Sequence, residues 1–320
     1  MNLKSISFYL SLFCFPVSFL AFINILYASY FDYFLSIDTY FTTLIVSLFL
    51  GLILLYYGKK HKHNINFIEQ LILIICSYIL TSVLISIPFY LSNYQVTFLN
   101  SLFESISGLT GTGFSIFKDI KYLDPTLILW RSSSQWIGGL FFLFFLILLF
   151  SNKKFNYKMT NLTFSGDSNF KSEENIKNNI LRIFILYLIL TLIFFVLLNI
   201  SGIRLFNSLN LTMTLISTGG FLPSDNLGEI ITSNFQKIIL IIFLILSFLN
   251  FFLLFNIFNR KILLKEHKED LYLIVLTLFL IILVYFNNID LINLIFNTVS
   301  SLANSGITLV KTDYNLSLYF

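Results

Sequence analysis

Residues 110–114 read TGTGF, and two related glycine segments follow along the chain, STGGF at 217–221 and ANSGI at 303–307. Each comes after a short apolar stretch and lies between longer ones. Non-helical backbone persists at membrane depth only where it lines a cavity, because every amide and carbonyl there needs a partner. Glycine, threonine and serine supply oxygens at such a place rather than bulk. The pattern therefore predicts a cation filter.

The composition excludes a soluble protein. Of the 320 residues, 57% are hydrophobic and 11% are charged, and the mean hydropathy is +0.85. Such a chain is too apolar for a soluble domain of this length. The small net charge of +4 does not indicate a nucleic-acid partner. We therefore predict an all-α polytopic protein of the lipid bilayer.

Two lengths of apolar run alternate along the chain. A helix needs about 20 residues to cross a hydrocarbon core of about 30 Å, and three runs, 98–109, 204–216 and 291–302, reach only about halfway. One such run would suit an interfacial amphipathic helix, but three that each end in a glycine turn favour re-entrant pore helices. Seven runs are long enough to span, namely 6–30, 39–58, 67–92, 126–151, 178–201, 235–258 and 270–287.

Lysine and arginine predict the orientation. If every long run crosses once, 14 of the 20 basic residues lie on one side, mainly around 59–62, 153–182 and 260–268. Cytoplasmic loops carry such an excess. The N-terminus is therefore predicted to be cytoplasmic, and the half-helices to enter the membrane from outside.

The same unit recurs along the chain. Alignment of Gly113, Gly220 and Gly306 places a span and a half-helix before each glycine, and another span after the first two. Such a unit crosses twice, so all units share one orientation, and parallel units around one axis would converge on a central pore. The predicted divisions are an accessory N-terminal helix pair (1–65), pore repeat 1 (66–155), a cytoplasmic linker plus pore repeat 2 (156–262) and an incomplete pore repeat 3 (263–320).

Three motifs carry a family resemblance. They are ESISGLTGTGFS at 104–115, WRSSSQWIGG at 130–139 and TLISTGGF at 214–221. They resemble, in turn, the first pore helix and filter, the signature that opens the following span, and the second filter of the Trk/Ktr/HKT superfamily of potassium and sodium transporters. Within it, the resemblance is to bacterial TrkH- and KtrB-type membrane subunits, whose accessory helix pair the first two spans resemble.

The resemblance implies a pseudo-fourfold pore with one filter strand, and one essential glycine, in each repeat. It implies no enzyme and no bound cofactor, with K⁺ as the transported ion. It also implies a homodimer in the bacterial inner membrane that binds a cytosolic nucleotide-binding regulatory subunit. Independently, a dehydrated K⁺ needs oxygens on all sides, which rings of carbonyls provide. The predicted filter residues are Thr110, Gly111, Thr112, Gly113, Ser217, Thr218, Gly219, Gly220, Asn304, Ser305 and Gly306.

Several of the singled-out residues also allow simpler interpretations. The alternative for Gly113, Gly220 and Gly306 is that they cap a helix C-terminus in a tight loop. Arg131 fits either snorkelling at the end of its span or a structural tie behind the filter. Glu104 either raises the local cation concentration or caps or pairs with a neighbour. Asp225 is predicted to be a solvated loop residue, and Gly138 and Gly139 to allow close helix packing.

The chain departs from the family at the third repeat. The sequence ends at Phe320, where the closing span would begin, and holds no fourth repeat. We expect a fragment of a longer protein or a second polypeptide that supplies the remainder, and a functional short form with a different assembly is the further alternative.

The favoured function is a K⁺-uptake pore, because the first three filter glycines go with potassium in the family. An ion-coupled secondary transporter is the alternative, although it would normally carry more charged groups within the membrane. An inactive scaffold is the third hypothesis. It would explain the shortened chain but not the retained filters.

Overall fold

The computed structural model describes residues 3–61, 65–150, 173–249, 251, 254, 268–285 and 290–309. Within these ranges the chain forms α-helices and short 3₁₀ turns, without a strand. The helices are α1 (Leu3–Tyr30), α2 (Phe34–Gly58), α3 (Phe67–Leu91), α4 (Phe98–Thr110), α5 (Pro125–Phe150), α6 (Glu173–Ile200), α7 (Leu205–Ile216), α8 (Asn234–Phe248), α9 (Lys268–Tyr285) and α10 (Leu291–Leu302).

Five of the described helices, α1, α2, α3, α5 and α6, are long and apolar enough to span a membrane. This confirms the all-helical polytopic fold class, but seven spans were predicted. The predicted span 235–258 appears as the shorter α8, which ends at Phe248 because Leu249 has extended backbone (φ −62°, ψ 151°). For 270–287, α9 covers Lys268–Tyr285 with 18 residues, and residues 286 and 287 lie outside the described residues. The rest of 235–258, apart from residues 249, 251 and 254, lies outside the described residues.

The three predicted half-helices are present as α4, α7 and α10. They contain 13, 12 and 12 residues, so each is about 18–20 Å long at 1.5 Å per residue. Each is followed by one of the glycine segments. The partial negative charge of a helix C-terminus therefore lies next to each segment.

Helix α5 is the centre of the packing, since it contacts α1, α3, α4, α6 and α7. Its Trp130 is buried among apolar side chains and donates its indole N–H to the Ile85 carbonyl of α3 at 3.0 Å. Farther along, the Trp136 indole donates to the Thr191 hydroxyl of α6 at 3.1 Å. Helix α5 therefore links the first pore unit both to the accessory helices and to the second unit.

The outward surfaces of the spans are apolar. Phe19 of α1, Phe49 of α2 and Leu192 of α6 are each more than 60% exposed. Five apolar spans that carry large hydrophobic side chains on their outer faces fit a lipid environment, since a bilayer solvates such surfaces at no cost.

Candidate ion filter

All three half-helices end in the same backbone turn. The residue two positions before each aligned glycine has left-handed backbone: Gly111 (φ 69°), Thr218 (φ 53°) and Asn304 (φ 57°). In the first unit the Gly111 amide donates to the Gly108 carbonyl at 3.1 Å, and the Thr112 amide donates to the Ser107 carbonyl at 3.0 Å. This pair of bonds is the Schellman motif.

The other two units repeat these two bonds at the aligned positions. The first bond joins residues 218 to 215 and 304 to 301, at 3.2 and 3.1 Å. The second joins 219 to 214 and 305 to 300, at 2.9 and 3.1 Å. The third segment, although the least similar in sequence, therefore has the same backbone as the first two.

A second left-handed residue follows two positions later in every unit. These residues are the three aligned glycines, with φ of 80° at Gly113, 81° at Gly220 and 61° at Gly306. They are not the C-caps, because the helix is already closed at the residue two positions earlier. The helix-capping interpretation of these glycines is therefore wrong, and their positive φ values serve the extended segment that follows.

The glycine segments of consecutive units touch. A Cβ on Gly113 would lie 2.5 Å from the Gly219 carbonyl oxygen, and a Cβ on Gly220 would collide with the Ser305 carbonyl oxygen. Segment 1 thus abuts segment 2, and segment 2 abuts segment 3. Around Gly306 no described atom lies within 4 Å of the place a Cβ would take.

A hydroxyl six residues before each glycine holds the residue just after it. Ser107 donates to the Phe114 carbonyl, Thr214 to the Phe221 carbonyl and Ser300 to the Ile307 carbonyl, each at 2.6 Å. All three hydroxyl side chains are at most 4% exposed. The sequence analysis did not identify these residues, although a serine or threonine at a constant spacing from each glycine was a readable signal.

Gln135 of α5 supports the second segment. It is fully buried, and its Nε2 donates to the Gly219 carbonyl at 2.5 Å. Its Oε1 accepts from the Phe221 amide at 3.1 Å and lies 2.9 Å from the Thr214 hydroxyl. The sequence analysis quoted Gln135 within its motif but gave it no role, since its partners lie about 80 residues away in the chain.

A buried ion pair supports the first segment. Arg131 Nε lies 2.8 Å from Glu104 Oε1, and both side chains are at most 1% exposed. Glu104 Oε2 also accepts from the Ile116 amide at 2.8 Å, and Arg131 Nη2 donates to the Ser115 hydroxyl at 2.9 Å. The guanidinium carbon lies 4.3 Å from the centre of the Phe221 ring in the second unit. Arg131 therefore forms the structural tie behind the filter rather than snorkelling. Glu104 is paired with a neighbour, as its second interpretation predicted.

The structure shows which carbonyls of the predicted filter residues accept a hydrogen bond. The Gly219 carbonyl accepts a hydrogen bond from Gln135 of α5, so this predicted filter oxygen is already engaged. Among the predicted filter residues in the described part of the chain, the Gly219 carbonyl is the one that accepts a hydrogen bond. The carbonyls of Gly111, Gly113, Thr218, Gly220, Asn304 and Gly306 are among those that accept none.

Two further predictions have clear outcomes. Asp225 is not simply solvated, because its Oδ1 accepts from the Ile120 amide at 2.5 Å and joins the loops that follow the first two segments. Gly138 and Gly139 do allow close packing. A Cβ on Gly138 would collide with the Leu109 backbone of α4, and a Cβ on Gly139 would lie 2.9 Å from the Tyr187 hydroxyl.

A family model described as TrkH, cation transport protein, matches residues 36–314. That match covers most of the chain and includes all three glycine segments. The chain belongs to the TrkH family of cation transport proteins.

Individual relatives agree with the family match. This TrkH-family chain is 27% identical over 288 residues to an uncharacterized cation transporter of Methanocaldococcus jannaschii, across 88% of this chain and 58% of the relative. It is 25% identical to the Trk system potassium uptake protein TrkG of Escherichia coli, across 71% of this chain and 47% of TrkG. The chain therefore spans about half the length of these curated relatives.

The fold agrees with a solved structure. The crystal structure of the potassium transporter TrkH from Vibrio parahaemolyticus superimposes with a TM-score of 0.79 over 97% of this chain and 66% of that one. At 20% identity this match supports the TrkH fold alone.

Proposed function

We propose that this TrkH-family chain is a pore-forming part of a K⁺-uptake system in the bacterial inner membrane. One observation carries the proposal: three segments of the same left-handed backbone geometry meet at the C-termini of three half-helices, and each contains carbonyls without a hydrogen-bond partner among the described residues. Carbonyl oxygens on such backbone replace the hydration shell of an alkali cation. The helix C-termini add partial negative charge.

The three filter glycines favour K⁺ over Na⁺. A side chain on Gly113 or Gly220 would intrude on the neighbouring segment, so glycine lets the segments approach closely. Glycine at the filter positions goes with K⁺ in the Trk/Ktr/HKT superfamily, which this chain resembles. We therefore propose K⁺ as the transported ion, with the named relatives in support.

Passive conduction fits the ionisable residues within the membrane better than ion-coupled transport does. A coupled transporter normally uses unpaired ionisable groups at membrane depth. Here Glu104 is neutralised by Arg131 and fixed by backbone and hydroxyl bonds. The membrane potential itself supplies about 2.3 kcal/mol per charge for each 100 mV, which is sufficient to drive uptake of a monovalent cation through an open pore.

The remaining parts of the proposal follow the family. We propose a cytoplasmic N-terminus, a homodimer of membrane subunits and a cytosolic nucleotide-binding regulatory subunit. The polar stretch 152–177, which includes residues outside the described ranges, is the place on this chain where a cytosolic partner would be sought.

Rubidium uptake tests the proposal. A host that depends on added K⁺ would carry the full-length gene, either unchanged or with Gly113→Ser. We expect the substitution to lower Rb⁺ uptake at least tenfold and to reduce discrimination against Na⁺, because both φ and space at Gly113 exclude a side chain. The matched control is Gly202→Ser, since Gly202 also has positive φ (92°) but lies away from the filter, with no described atom closer than 4.0 Å to the added Cβ. Equal uptake and selectivity in Gly113→Ser and the unchanged protein would refute the pore assignment.

A further inference from the structure

The end of the molecule at which α1 begins and α2 ends carries a group of lysines. A Cβ on Gly58 would collide with the Phe8 amide nitrogen and lie 2.7 Å from the Lys4 carbonyl oxygen, so the last turn of α2 packs directly against the first turns of α1. The 3₁₀ turn that continues α2 begins with Lys59 and Lys60 and contacts α1. This packing brings Lys4 of α1 to the same end as the two lysines of the turn.

These three ammonium groups have no carboxylate to pair with. Each of the lysines is exposed, and none forms an ion pair within the described ranges. The first carboxylate of the sequence, Asp32, follows the opposite end of α1. Glu69, near the start of α3, is 7% exposed and accepts from the Asn66 amide at 2.9 Å in its own helix cap. The like charges of the lysines therefore repel one another, and an anion from outside the chain would relieve that repulsion.

Two exposed tyrosines place the lysines at the surface of the membrane. Tyr56 is 88% exposed and Tyr57 is 55% exposed, and Lys4 Nζ lies 5.8 Å from the centre of the Tyr57 ring. Tyrosine is enriched where the hydrocarbon core meets water, because its ring is apolar and its hydroxyl is polar. Since Lys59 and Lys60 follow the tyrosines almost directly, the lysines lie at the level of the lipid headgroups.

An apolar stripe runs from the tyrosines toward the middle of the membrane. Phe49, Leu52, Ile53 and Tyr56 share one face of α2, since their spacing is i, i+3, i+4 and i+7, and each is at least 48% exposed. Lys60 follows Tyr56 by about one turn. From Phe49 to Lys60 the chain rises about 16 Å at about 1.5 Å per residue, which is about one leaflet of a core of about 30 Å. The face therefore matches one phospholipid, with acyl-chain contacts below and positive charge above.

We propose that this end of α1 and α2 binds an anionic phospholipid. The lipid phosphate lies among Lys4, Lys59 and Lys60, and an acyl chain lies along residues 49–56 of α2. Basic groups at the ends of spans attract anionic lipids, and the apolar stripe favours a lipid over a free phosphate ion, which has no acyl chain to cover it. The site is separate from the filter, so the proposal stands whether or not the chain conducts K⁺.

Native mass spectrometry of the full-length protein tests the site. The protein in detergent would receive equal amounts of dioleoyl phosphatidylglycerol and dioleoyl phosphatidylcholine, which share their acyl chains and differ in headgroup charge. We expect the unchanged protein to retain more phosphatidylglycerol than phosphatidylcholine. The combined variant Lys4→Gln, Lys59→Gln and Lys60→Gln should retain one phosphatidylglycerol fewer per chain. Arginine at the same three positions keeps the charge and should keep the full number.

A matched variant and a competing anion make the result specific. Lys118→Gln together with Lys121→Gln removes charge from two exposed positions in the loop before α5, at the opposite end of the molecule, and should keep the full number of bound lipids. Inorganic phosphate at the lipid concentration should displace no phosphatidylglycerol, and displacement would overturn the choice of a lipid. Equal retention of phosphatidylglycerol by the glutamine variant and the unchanged protein would overturn the site itself.

Discussion

At the scale of single residues, Gln135 of the first unit binds the glycine segment of the second unit. Its amide binds the Gly219 carbonyl, the Phe221 amide and the Thr214 hydroxyl at once. A glutamine suits this place because it combines a donor and an acceptor in one planar group. Gln135 therefore holds both sides of the turn that contains Gly220.

We predict that Gln135→Ala reduces Rb⁺ uptake and K⁺ selectivity together. The substitution leaves the Phe221 amide and the Gly219 carbonyl without their partner, at a cost of about 2–4 kcal/mol for two or more buried groups. Uptake in cells and unfolding temperature in detergent would be measured side by side.

Thr191→Val is the matched control for Gln135→Ala. It removes the hydroxyl that accepts from Trp136, a partly buried polar contact between α5 and α6 away from the segments. It should lower stability without changing the ratio of Rb⁺ to Na⁺ uptake. If both variants change that ratio equally, the role assigned to Gln135 is wrong.

At the scale of elements, the recurring unit is a half-helix, a Schellman turn, a left-handed glycine and a hydroxyl that bridges seven residues. The bridge from Ser107 to Phe114 has equivalents in both other units. It ties the last part of the half-helix to the strand beyond the glycine. Each unit thus holds its own filter segment before it meets its neighbours.

We predict that Ser107→Ala, Thr214→Val and Ser300→Ala each cost about 1–3 kcal/mol, because a buried carbonyl loses its donor. Cation selectivity should also fall in all three, as measured by competition of Na⁺ with Rb⁺ uptake. Ser29→Ala is the control, since the Ser29 hydroxyl donates to a carbonyl of its own helix at an exposed position. Loss of selectivity confined to one unit would contradict the equivalence of the three.

The contact between α4 and α5 gives a second prediction at this scale. Gly138→Ala places a methyl group against the Leu109 backbone, which cannot yield without moving the pore helix. We expect a loss of about 3 kcal/mol or more, measured as urea or thermal unfolding in detergent.

Gly51→Ala is the comparison, because a Cβ there would lie 3.1 Å from Cys14 Cβ and 3.3 Å from the movable Phe15 ring. Alanine is a better helix former than glycine by about 1 kcal/mol. The net change at Gly51 should therefore stay within about 1 kcal/mol. A larger loss at Gly51 than at Gly138 would contradict the packing described here.

At the scale of the whole molecule, the units are joined by contacts that cross between them. The Asp225 carboxylate binds the Ile120 amide across 105 positions of sequence, and Arg131 of the first unit lies over the Phe221 ring of the second. These contacts lie just beyond the glycine segments. They fix the position of one segment relative to the next.

We predict that Asp225→Ala speeds amide exchange at Ile120 and in the loop around it. A hydrogen bond to a charged acceptor is worth about 1.5–3 kcal/mol, so exchange should accelerate at least tenfold, as measured by deuterium uptake of the 118–124 peptide. Asp119→Ala is the control, since Asp119 is exposed in the same loop. Unchanged exchange in Asp225→Ala would show that the loops are held by other contacts.

The sequence was sufficient to predict the half-helices and their turns because the features that determine them are local. Apolar length separated spans from half-helices, and the TGTGF, STGGF and ANSGI segments marked the turns, since backbone with positive φ strongly favours small or turn-forming residues. The division into domains stays a prediction. For 235–258, hydropathy placed a span but did not reveal where the helix ends.

The sequence by itself determined that this chain is a membrane protein with three equivalent half-helices and glycine turns. Only the tertiary structure decided which groups meet: that Glu104 pairs with Arg131, that Gln135 takes the Gly219 carbonyl out of the candidate filter, and that Asp225 joins two loops. The physical reason is the distance along the chain over which each kind of interaction acts. Hydropathy and backbone preference act over a few residues, whereas a buried polar group is satisfied by whatever the packing of distant helices brings within about 3 Å.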